Sequence, residues 1–333
     1  MTEKILHIIS HTDLDGVAAA ALAWHIGQTQ GRVCKVSLAS YGEVDNLILE
    51  TQRTGQEPLV LDLFCQREQT VDEIDKSWQD GVQPFLFDHH KSTFDRFGNR
   101  KWAVIDTGFC GALVYWNWLM AQNPDGRILE VLKKVGPIVR VANDRDLWLG
   151  EMPESRLWQG LITLCGHWGT FARLTANPSA GLSEAERKAA EQFVAHQEMR
   201  FDIARESVIR TGNDLAFVLD GVLEFGDVSD FCGLLLDRDP NPPLVATVCA
   251  KRFNGDWALS LRSRDGFAGR VLALLKDGKK VRGGGHGDAS ALYFPQHYSQ
   301  GQIRESVLAA IKVQKEREEK PGVTLGDLFK NLS

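Results

Sequence analysis

Short, almost continuous apolar runs alternate with longer segments of helical periodicity through the N-terminal third of the chain. The apolar runs predict buried strands at "ILHIIS", "RVCKVSLAS", "PLVLDLF" and "PFLFDHH". The intervening segments have the spacing of helices. Strands of this kind that alternate with helices are typical of a parallel sheet covered by helices on both faces. We therefore predict an α/β fold whose N-terminal half is a doubly wound parallel sheet.

The pattern changes twice after the fourth strand. Helical patterns dominate from "CGALVYWNWLM" onwards, and a long, charged, alanine-rich segment then predicts a linker helix. Short strands return at about Gly212, with helices at "AGRVLALLKD" and "QIRESVLAAIKV", which predicts a second, smaller α/β domain. The predicted organisation is an N-terminal domain over 1–182, a linker helix over 183–211, a C-terminal domain over 212–315 and a charged tail over 316–333.

Composition narrows the class of protein. The 333 residues are 43% hydrophobic and 25% charged, as in an ordinary soluble globular protein of two domains. The net charge of −6 argues against a protein that coats long nucleic acid. Six cysteines without a C-x-x-C pair argue against a disulfide framework or a structural zinc site. There is no apolar leader or membrane-length apolar run, so we expect a cytoplasmic protein with no membrane partner.

Three groups of polar side chains directly follow predicted strands. They are His11, Asp13 and Asp15 in "HTDLDG" after the first strand, Asp62 at the end of the third, and Asp88, His89 and His90 at the end of the fourth. The ligand crevice of an open parallel sheet lies beyond the carboxyl ends of its strands. We therefore expect these carboxylates and imidazoles to meet at one edge of one sheet.

Such a group of side chains favours a pair of divalent metal ions. Carboxylates packed together repel one another unless cations neutralise them. Mixed His and Asp ligation without Cys suits Mn²⁺, with Mg²⁺, Fe²⁺ and Zn²⁺ as alternatives. There are enough ligands for two ions about 3.5–4 Å apart, which share a hydroxide nucleophile in phosphatases and nucleases. The segment "IVRVANDRDLW" offers one further ligand, either Asp144 or Asp146.

Each of these motifs taken alone has a simpler explanation. "HTDLDG" is also typical of a turn whose aspartate caps the next helix. Asp62 alone would be an ordinary polar residue at a strand end, and two adjacent histidines would be one core and one surface residue. The coincidence of all three at neighbouring strand ends favours the metal interpretation.

The same residues resemble a known family. "DHH" after an apolar strand, together with "HTDLDG" and the strand-end Asp62, resembles the DHH phosphoesterase superfamily. "LSLRSR" and "VRGGGHGDAS" resemble the DHH-associated C-terminal domain of nano-RNases and RecJ-type exonucleases. The pairing covers nearly the whole chain. The pyrophosphatase branch of the family carries a different C-terminal domain, so "GGGH" argues against that branch.

The resemblance implies a role for each residue of the N-terminal motifs. His11 and Asp13 would bind one metal ion, Asp15, His89 and Asp144 (or Asp146) the other, and Asp62 would bridge the two. Asp88 would orient a ligand histidine, and His90 would face the phosphate or the leaving oxygen. "CGALVYW" resembles the small-residue helix start that the family places beside its active site, although tight helix packing explains it equally well.

The C-terminal motifs predict an anion-binding site. Backbone amides in a glycine-rich segment can approach an anion closely, and guanidinium groups suit phosphate. The alternatives are a flexible turn for the glycines and surface ion pairs for the arginines. The predicted substrate-binding residues are Arg262, Ser263, Arg264, Arg282, Gly284, Gly285 and His286.

Taken together, these features predict a Mn²⁺-dependent phosphodiesterase that hydrolyses short oligonucleotides to mononucleotides, as nano-RNases do. Alternatives that use the same chemistry are a RecJ-like single-strand exonuclease, a cyclic-dinucleotide phosphodiesterase and a phosphoadenosine-phosphate phosphatase. An alternative from another class is a nucleotide-binding sensor without catalysis. We expect short oligonucleotides or dinucleotides as partners and no long duplex DNA, and we leave homodimer formation open.

Overall fold

The computed structural model describes residues 4–79, 81–219, 221–224, 226–276, 281–285 and 287–319. The chain divides into two compact units, Met1–Val194 and Ala195–Ser333. The division falls inside a long helix, Glu184–Glu206, rather than at either end of it. This helix begins at the predicted position, because Ser183 and Glu186 cap each other: each accepts a hydrogen bond from the backbone N–H of the other. It ends sooner than predicted, since a strand occupies 208–211.

The first unit is built on a five-stranded sheet in which every strand is parallel, as predicted. The strand order is β2-β1-β3-β4-β5. The strands are β1 Leu6–Ser10, β2 Cys34–Leu38, β3 Glu57–Leu61, β4 Leu86–Asp88 and β5 Ala103–Ile105. The fifth strand was not predicted because its three residues are too few to show a periodicity.

Helices cover both faces of this sheet. Neighbouring residues Ile8 and Ile9 of β1 are fully buried in different core clusters, which is how a strand buried on both faces packs. The helices are α1 Leu14–Thr29, α2 Val44–Arg53, α3 Glu68–Ser77, α4 Lys91–Phe97, α5 Gly111–Ala121, α6 Gly126–Asp146 and α7 Pro153–Ala176. The alanine-rich α1 packs against α5, α6 and α7, and its small side chains let these helices approach closely.

The second unit contains a six-stranded mixed sheet of order β10-β11-β9-β8-β7-β6, in which only β7 and β8 are parallel neighbours. The strands are β6 Val208–Thr211, β7 Leu215–Leu219, β8 Val245–Lys251, β9 Trp257–Arg262, β10 Arg282–Gly285 and β11 Ala289–Phe294. The helices after α8 (Glu184–Glu206) are α9 Asp227–Asp237, α10 Phe267–Lys276 and α11 Gln300–Glu319. The α/β class predicted for both parts of the chain is therefore confirmed.

Near the C-terminal end, the structure differs from the sequence predictions in two places. The glycine-rich segment "RGGG" forms a strand, β10, because β11 pairs with it along its whole length. The tail predicted over 316–333 begins inside α11, which continues to Glu319, and its remainder lies outside the described residues. Within the ranges that the structure describes, no helix has both the length and the apolar character needed to cross a bilayer.

Candidate metal centre

The C-terminal edge of the parallel sheet gathers the polar residues that follow β1, β3 and β4. Three groups form there, each with ligand atoms within 4.8 Å of one another: a group of four, Asp62, Asp88, His89 and His90, and two triads. The first triad consists of His11, Asp13 and Asp62, and the second consists of Asp15, His89 and Asp146. Each triad offers imidazole and carboxylate donors, which is the donor set that Mn²⁺ and related divalent ions accept.

Asp62 belongs to the first triad and directs its other oxygen toward the second triad. Its Oδ2 is 3.8 Å from Nδ1 of His11, and its Oδ1 is 3.3 Å from Nε2 of His89. Nε2 of His89 is also 3.4 Å from Oδ2 of Asp146 and 4.0 Å from Oδ2 of Asp15. A carboxylate shared by two cations would need this arrangement.

The carboxylate of Asp62 is buried, and the imidazole nitrogens nearest to its oxygens, in His89 and His11, lie 3.3 and 3.8 Å away without forming a hydrogen bond. The residue is 1% exposed, and within the described residues neither carboxylate oxygen accepts a hydrogen bond. Burial, followed by the charges of Asp15 and Asp13, raises the pKa of Asp62 well above its usual range. Its φ of 56° is in the left-handed region, which is strained for an aspartate. A buried carboxylate that has a strained backbone conformation and accepts no hydrogen bond fits a position between metal ions.

Asp15 is fixed by the start of α5. Its Oδ2 accepts a hydrogen bond from the N–H of Gly111 at 2.7 Å, and its Oδ1 accepts one from Ala112 at 2.9 Å. Burial nevertheless raises the pKa of Asp15. A Cβ at Gly111 would lie 2.8 Å from Cβ of Asp62, so only glycine fits. The small residues of "CGALVYW" therefore lie beside the metal centre, where the resemblance places them.

"HTDLDG" combines both functions that its sequence suggested. Asp13 caps α1, since its Oδ1 accepts a hydrogen bond from the N–H of Gly16 at 3.0 Å. Its Oδ2 is 2.8 Å from Nδ1 of His11, so the same side chain also joins the first triad. A Cβ at Gly16 would lie 2.5 Å from the carbonyl oxygen of His11, which excludes larger residues. Helix capping and metal ligation are thus compatible here.

Of the two aspartates in "NDRD", the structure brings Asp146, which was the alternative, into the second triad and places Asp144, which was the first choice, outside both triads. Asp144 is 3% exposed and directs its Oδ1 to backbone N–H groups of Glu151, at 2.8 Å, and Met152, at 3.1 Å. It belongs to neither triad. Both aspartates lie on α6, where residues two apart point in directions about 200° apart. When the side chain of one aspartate faces the centre, that of the other therefore points away from it. Burial, followed by the charges of Asp15 and Asp13, raises the pKa of Asp146 well above its usual range.

Asp88 holds the ring of His90 and the backbone of His89. Its Oδ1 accepts a hydrogen bond from Nδ1 of His90 at 2.7 Å and one from the backbone N–H of His89 at 2.8 Å. The carboxylate fixes the tautomer of His90, because it can only accept. Although burial lowers the pKa of His90, the hydrogen bond to Asp88 and the charges of the surrounding aspartates together outweigh that effect and the pKa is raised.

Tyr41 is a residue of the centre that the sequence interpretation missed. Its hydroxyl lies 3.1 Å from Nε2 of His90, and its ring centroid lies 5.5 Å from that of His11. Tyr41 follows β2, so its position would have been expected had the strand-end rule been applied to that strand as well.

In the second unit, Arg262 is a half-buried cation without a carboxylate partner among the described residues. Its guanidinium donates to the hydroxyl of Ser229 at 2.8 Å and to the carbonyl of Leu261 at 2.9 Å. Burial lowers the pKa of Arg262. A guanidinium placed among neutral acceptors retains donors and a charge for an external anion.

Two neighbouring predictions do not fit substrate binding. Ser263 is fully buried, where its hydroxyl donates to Asp288 at 3.1 Å and accepts from the N–H of Ala268 at 2.6 Å. That hydroxyl supports the start of α10 instead. Arg264 forms an exposed ion pair with Asp237, which was the alternative for the arginines.

Two of the three glycines of β10, Gly283 and Gly285, are needed for close packing against β11, whereas Gly284 is not. A Cβ at Gly285 would lie 2.3 Å from the carbonyl oxygen of Ala289 in β11, and a Cβ at Gly284 would meet nothing within 4 Å. Arg282 is exposed on the same strand, and His286 lies outside the described residues. Arg282, Gly284 and Gly285 are exposed in this segment.

Comparison with protein-family models and with curated proteins gives no match. Solved structures do match, and three of the alignments cover nearly the whole of both chains. An exopolyphosphatase-related protein from Bacteroides fragilis aligns over 96% of this chain and 94% of its own, with 13% identity and a TM-score of 0.56. The exonuclease RecJ bound to manganese aligns over 97% and 94%, with 16% identity and a TM-score of 0.51. The pGpG-specific phosphodiesterase PggH from Vibrio cholerae aligns over 93% and 99%, with 12% identity and a TM-score of 0.50. The chain therefore has the two-unit α/β fold of these proteins.

Proposed function

We propose that the chain is a phosphoesterase of the DHH superfamily that hydrolyses phosphodiester bonds of short nucleotides with two divalent metal ions. The observation that carries the proposal is the position of Asp62, whose two oxygens face the two triads and accept no hydrogen bond within the described residues. The fold shared with a phosphodiesterase and an exonuclease supports the same reaction class.

The metal ions would be held by the two triads. His11 and Asp13 would hold one ion, Asp15, His89 and Asp146 the other, and Asp62 both. Bound metal ions would supply a nucleophile at neutral pH and neutralise charge that develops on the phosphate. The His and Asp donors support Mn²⁺ first and Mg²⁺ second, and the related exonuclease fold was solved with manganese.

His90 and Asp88 would act on the phosphate side of the reaction. Asp88 holds the imidazole with Nδ1 as the donor, so the other nitrogen, Nε2, faces away from Asp88 and toward Tyr41. The raised pKa of His90 favours the protonated ring, which can donate to a phosphate or leaving oxygen. Tyr41 would keep the ring in that orientation until the substrate arrives.

The second unit would supply an anion-binding site of its own. Arg262 supports this role because its half-buried charge has only neutral acceptors among the described residues. Arg282, Gly284 and His286 remain proposed contacts. We propose dinucleotides and short oligonucleotides as substrates, since the chain is acidic overall and a neighbour of the same fold is specific for pGpG. Long strands would need an extended basic or aromatic groove.

A substrate panel tests the proposal. The purified chain would be given labelled oligonucleotides from dimers upward, cyclic dinucleotides and phosphoadenosine phosphate, each with Mn²⁺ and with Mg²⁺. Turnover confined to the shortest oligonucleotides supports the proposal, and a preference for long single strands supports the RecJ-like alternative. Binding without turnover of any substrate would favour the sensor and contradict the proposed function.

A further inference from the structure

Trp148 follows Asp146 by two residues, so its Cα lies within roughly 7 Å of the Cα of this candidate ligand. It is an exposed aromatic residue, with 41% of its surface accessible. Its φ is 56°, in the left-handed region that a bulky residue rarely adopts. An exposed tryptophan held in a strained conformation two residues from a candidate metal ligand calls for a functional explanation.

The strain arises from the end of α6. The N–H of Leu149 donates to the carbonyl of Asp144 at 3.0 Å, which closes the helix with Trp148 in the left-handed position. Glycine is the usual residue at that position, because it has no Cβ to clash. Termination of the helix therefore does not explain a tryptophan here.

Asp144 braces the turn that carries Trp148. Its carboxylate accepts hydrogen bonds from the N–H groups of Glu151 and Met152, so it ties the residues after the turn back to α6. The four residues that connect α6 to Glu151, 147–150, are thereby fixed at both ends. Asp144, which lies outside both triads, thus positions the tryptophan two residues from the proposed ligand Asp146.

The guanidinium group of Arg145 stacks on the indole ring of Trp148. Its guanidinium carbon lies 4.2 Å from the centroid of the indole ring, and its Nε donates to Oε1 of Gln159 at 3.2 Å. The guanidinium covers one side of the indole, and the exposed fraction of Trp148 leaves further ring surface accessible to a ligand. An indole backed by a guanidinium is a surface on which nucleobases stack.

We propose that Trp148, backed by Arg145, is a stacking platform for the base of the nucleotide whose phosphate lies at the metal centre. The inference rests on the proposed function and adds a base-binding subsite to it. Stacking tolerates any base, because every base has a π face, so the platform recognises a nucleobase rather than one sequence. It distinguishes a nucleotide from a bare sugar phosphate.

The test compares the binding of GMP and ribose 5-phosphate by calorimetry in Mn²⁺, for the wild type and for Trp148→Ala, Trp148→Gly and Trp148→Phe. The wild type is expected to prefer GMP, and Trp148→Ala to lose roughly tenfold or more in GMP affinity with ribose 5-phosphate unchanged. Trp148→Phe should keep most of the preference. Trp168→Ala is the matched control, since Trp168 is an exposed tryptophan on α7 and should bind GMP like the wild type.

The glycine variant separates stacking from backbone strain. Glycine relieves the left-handed conformation but removes the ring, so a stacking role predicts the same loss as in Trp148→Ala. Wild-type affinity for GMP in Trp148→Gly or in Trp148→Ala would overturn the platform, as would equal affinity of the wild type for GMP and ribose 5-phosphate. Dinucleotide turnover by the wild type, measured separately, tests the proposed function, so the two failures can be distinguished.

Discussion

The hydroxyl of Tyr41 lies 3.1 Å from Nε2 of His90, while Nδ1 of the same ring donates to Asp88 at 2.7 Å. The imidazole that the sequence placed next to the phosphate is therefore held at both nitrogens. A substrate oxygen that reaches His90 must either displace the tyrosine hydroxyl or bind beside it.

Tyr41→Phe should lower kcat for a dinucleotide by about 10- to 100-fold, because His90 loses the contact that orients its proton. KM should change much less, since the phenyl ring still packs near His11. Steady-state kinetics in Mn²⁺ would measure both constants. Tyr293→Phe is the control, because Tyr293 is an exposed tyrosine of the second unit. An unchanged kcat in Tyr41→Phe would show that the contact with His90 has no part in the reaction.

Asp144→Ala and Asp146→Ala should fail in different ways. Asp146→Ala should weaken Mn²⁺ binding with little change in the free energy of unfolding, because it removes a carboxylate from the second triad. Asp144→Ala should lower the free energy of unfolding by roughly 2–4 kcal/mol, because two backbone donors lose a charged acceptor. Calorimetric Mn²⁺ titration and urea unfolding would measure the two effects. The reverse pattern would restore Asp144 as the ligand.

Arg262 and Arg264 form a second contrasting pair. Arg262→Ala should raise KM for a dinucleotide about tenfold or more, because a charge with only neutral acceptors is available to the substrate. Arg264→Ala should leave KM close to the wild-type value, since its guanidinium forms an exposed ion pair with Asp237. Equal effects of the two changes would argue against a specific anion site at Arg262.

His7 should make the fold sensitive to acid. It is fully buried in β1, with Nδ1 2.6 Å from Oγ1 of Thr51 and Nε2 2.9 Å from Oγ of Ser37. Burial, followed by the charge of Lys35, lowers its pKa to about 4. The unfolded chain therefore binds the proton more readily, and His7 lowers stability as the pH falls from about 6.5 toward 4.

The size of this contribution follows from the shift. A change of about 2.5 pKa units corresponds to roughly 3 kcal/mol at acid pH. Urea unfolding at several pH values, for the wild type and for His7→Gln, would isolate it, because all other titrating groups are shared. The difference in stability between the two proteins should depend on pH within this window. A constant difference would mean that His7 titrates normally in the folded protein.

The sequence predicted the parallel sheet and most of the centre because strand ends are local signals. His11, Asp62 and His89 each follow an apolar run, and parallel strands bring such positions to one edge. The choice between Asp144 and Asp146 depends on which side of α6 faces the cluster of ligand residues. Hydrophobic periodicity does not reveal that side, because both candidates are polar and lie in a charged segment.

Contacts between distant residues account for most of the other differences. Arg264 meets Asp237 and Ser263 meets Asp288, and no local pattern marks either pairing. The glycines of β10 did not predict a strand because glycine has a low strand propensity, which pairing with β11 overrides. Such outcomes depend on tertiary packing, which local patterns do not encode.

The most direct measurement of the central claim is a Mn²⁺ titration of the wild type and of Asp62→Ala, with dinucleotide turnover recorded on the same samples. Two Mn²⁺ ions are expected to bind per wild-type chain, because Asp62 belongs to one triad and faces His89 of the other. Asp62→Ala is expected to lose at least one ion and to lower turnover by roughly 1,000-fold or more, with the circular dichroism spectrum retained. Wild-type turnover with two ions still bound to Asp62→Ala would contradict the shared-carboxylate centre.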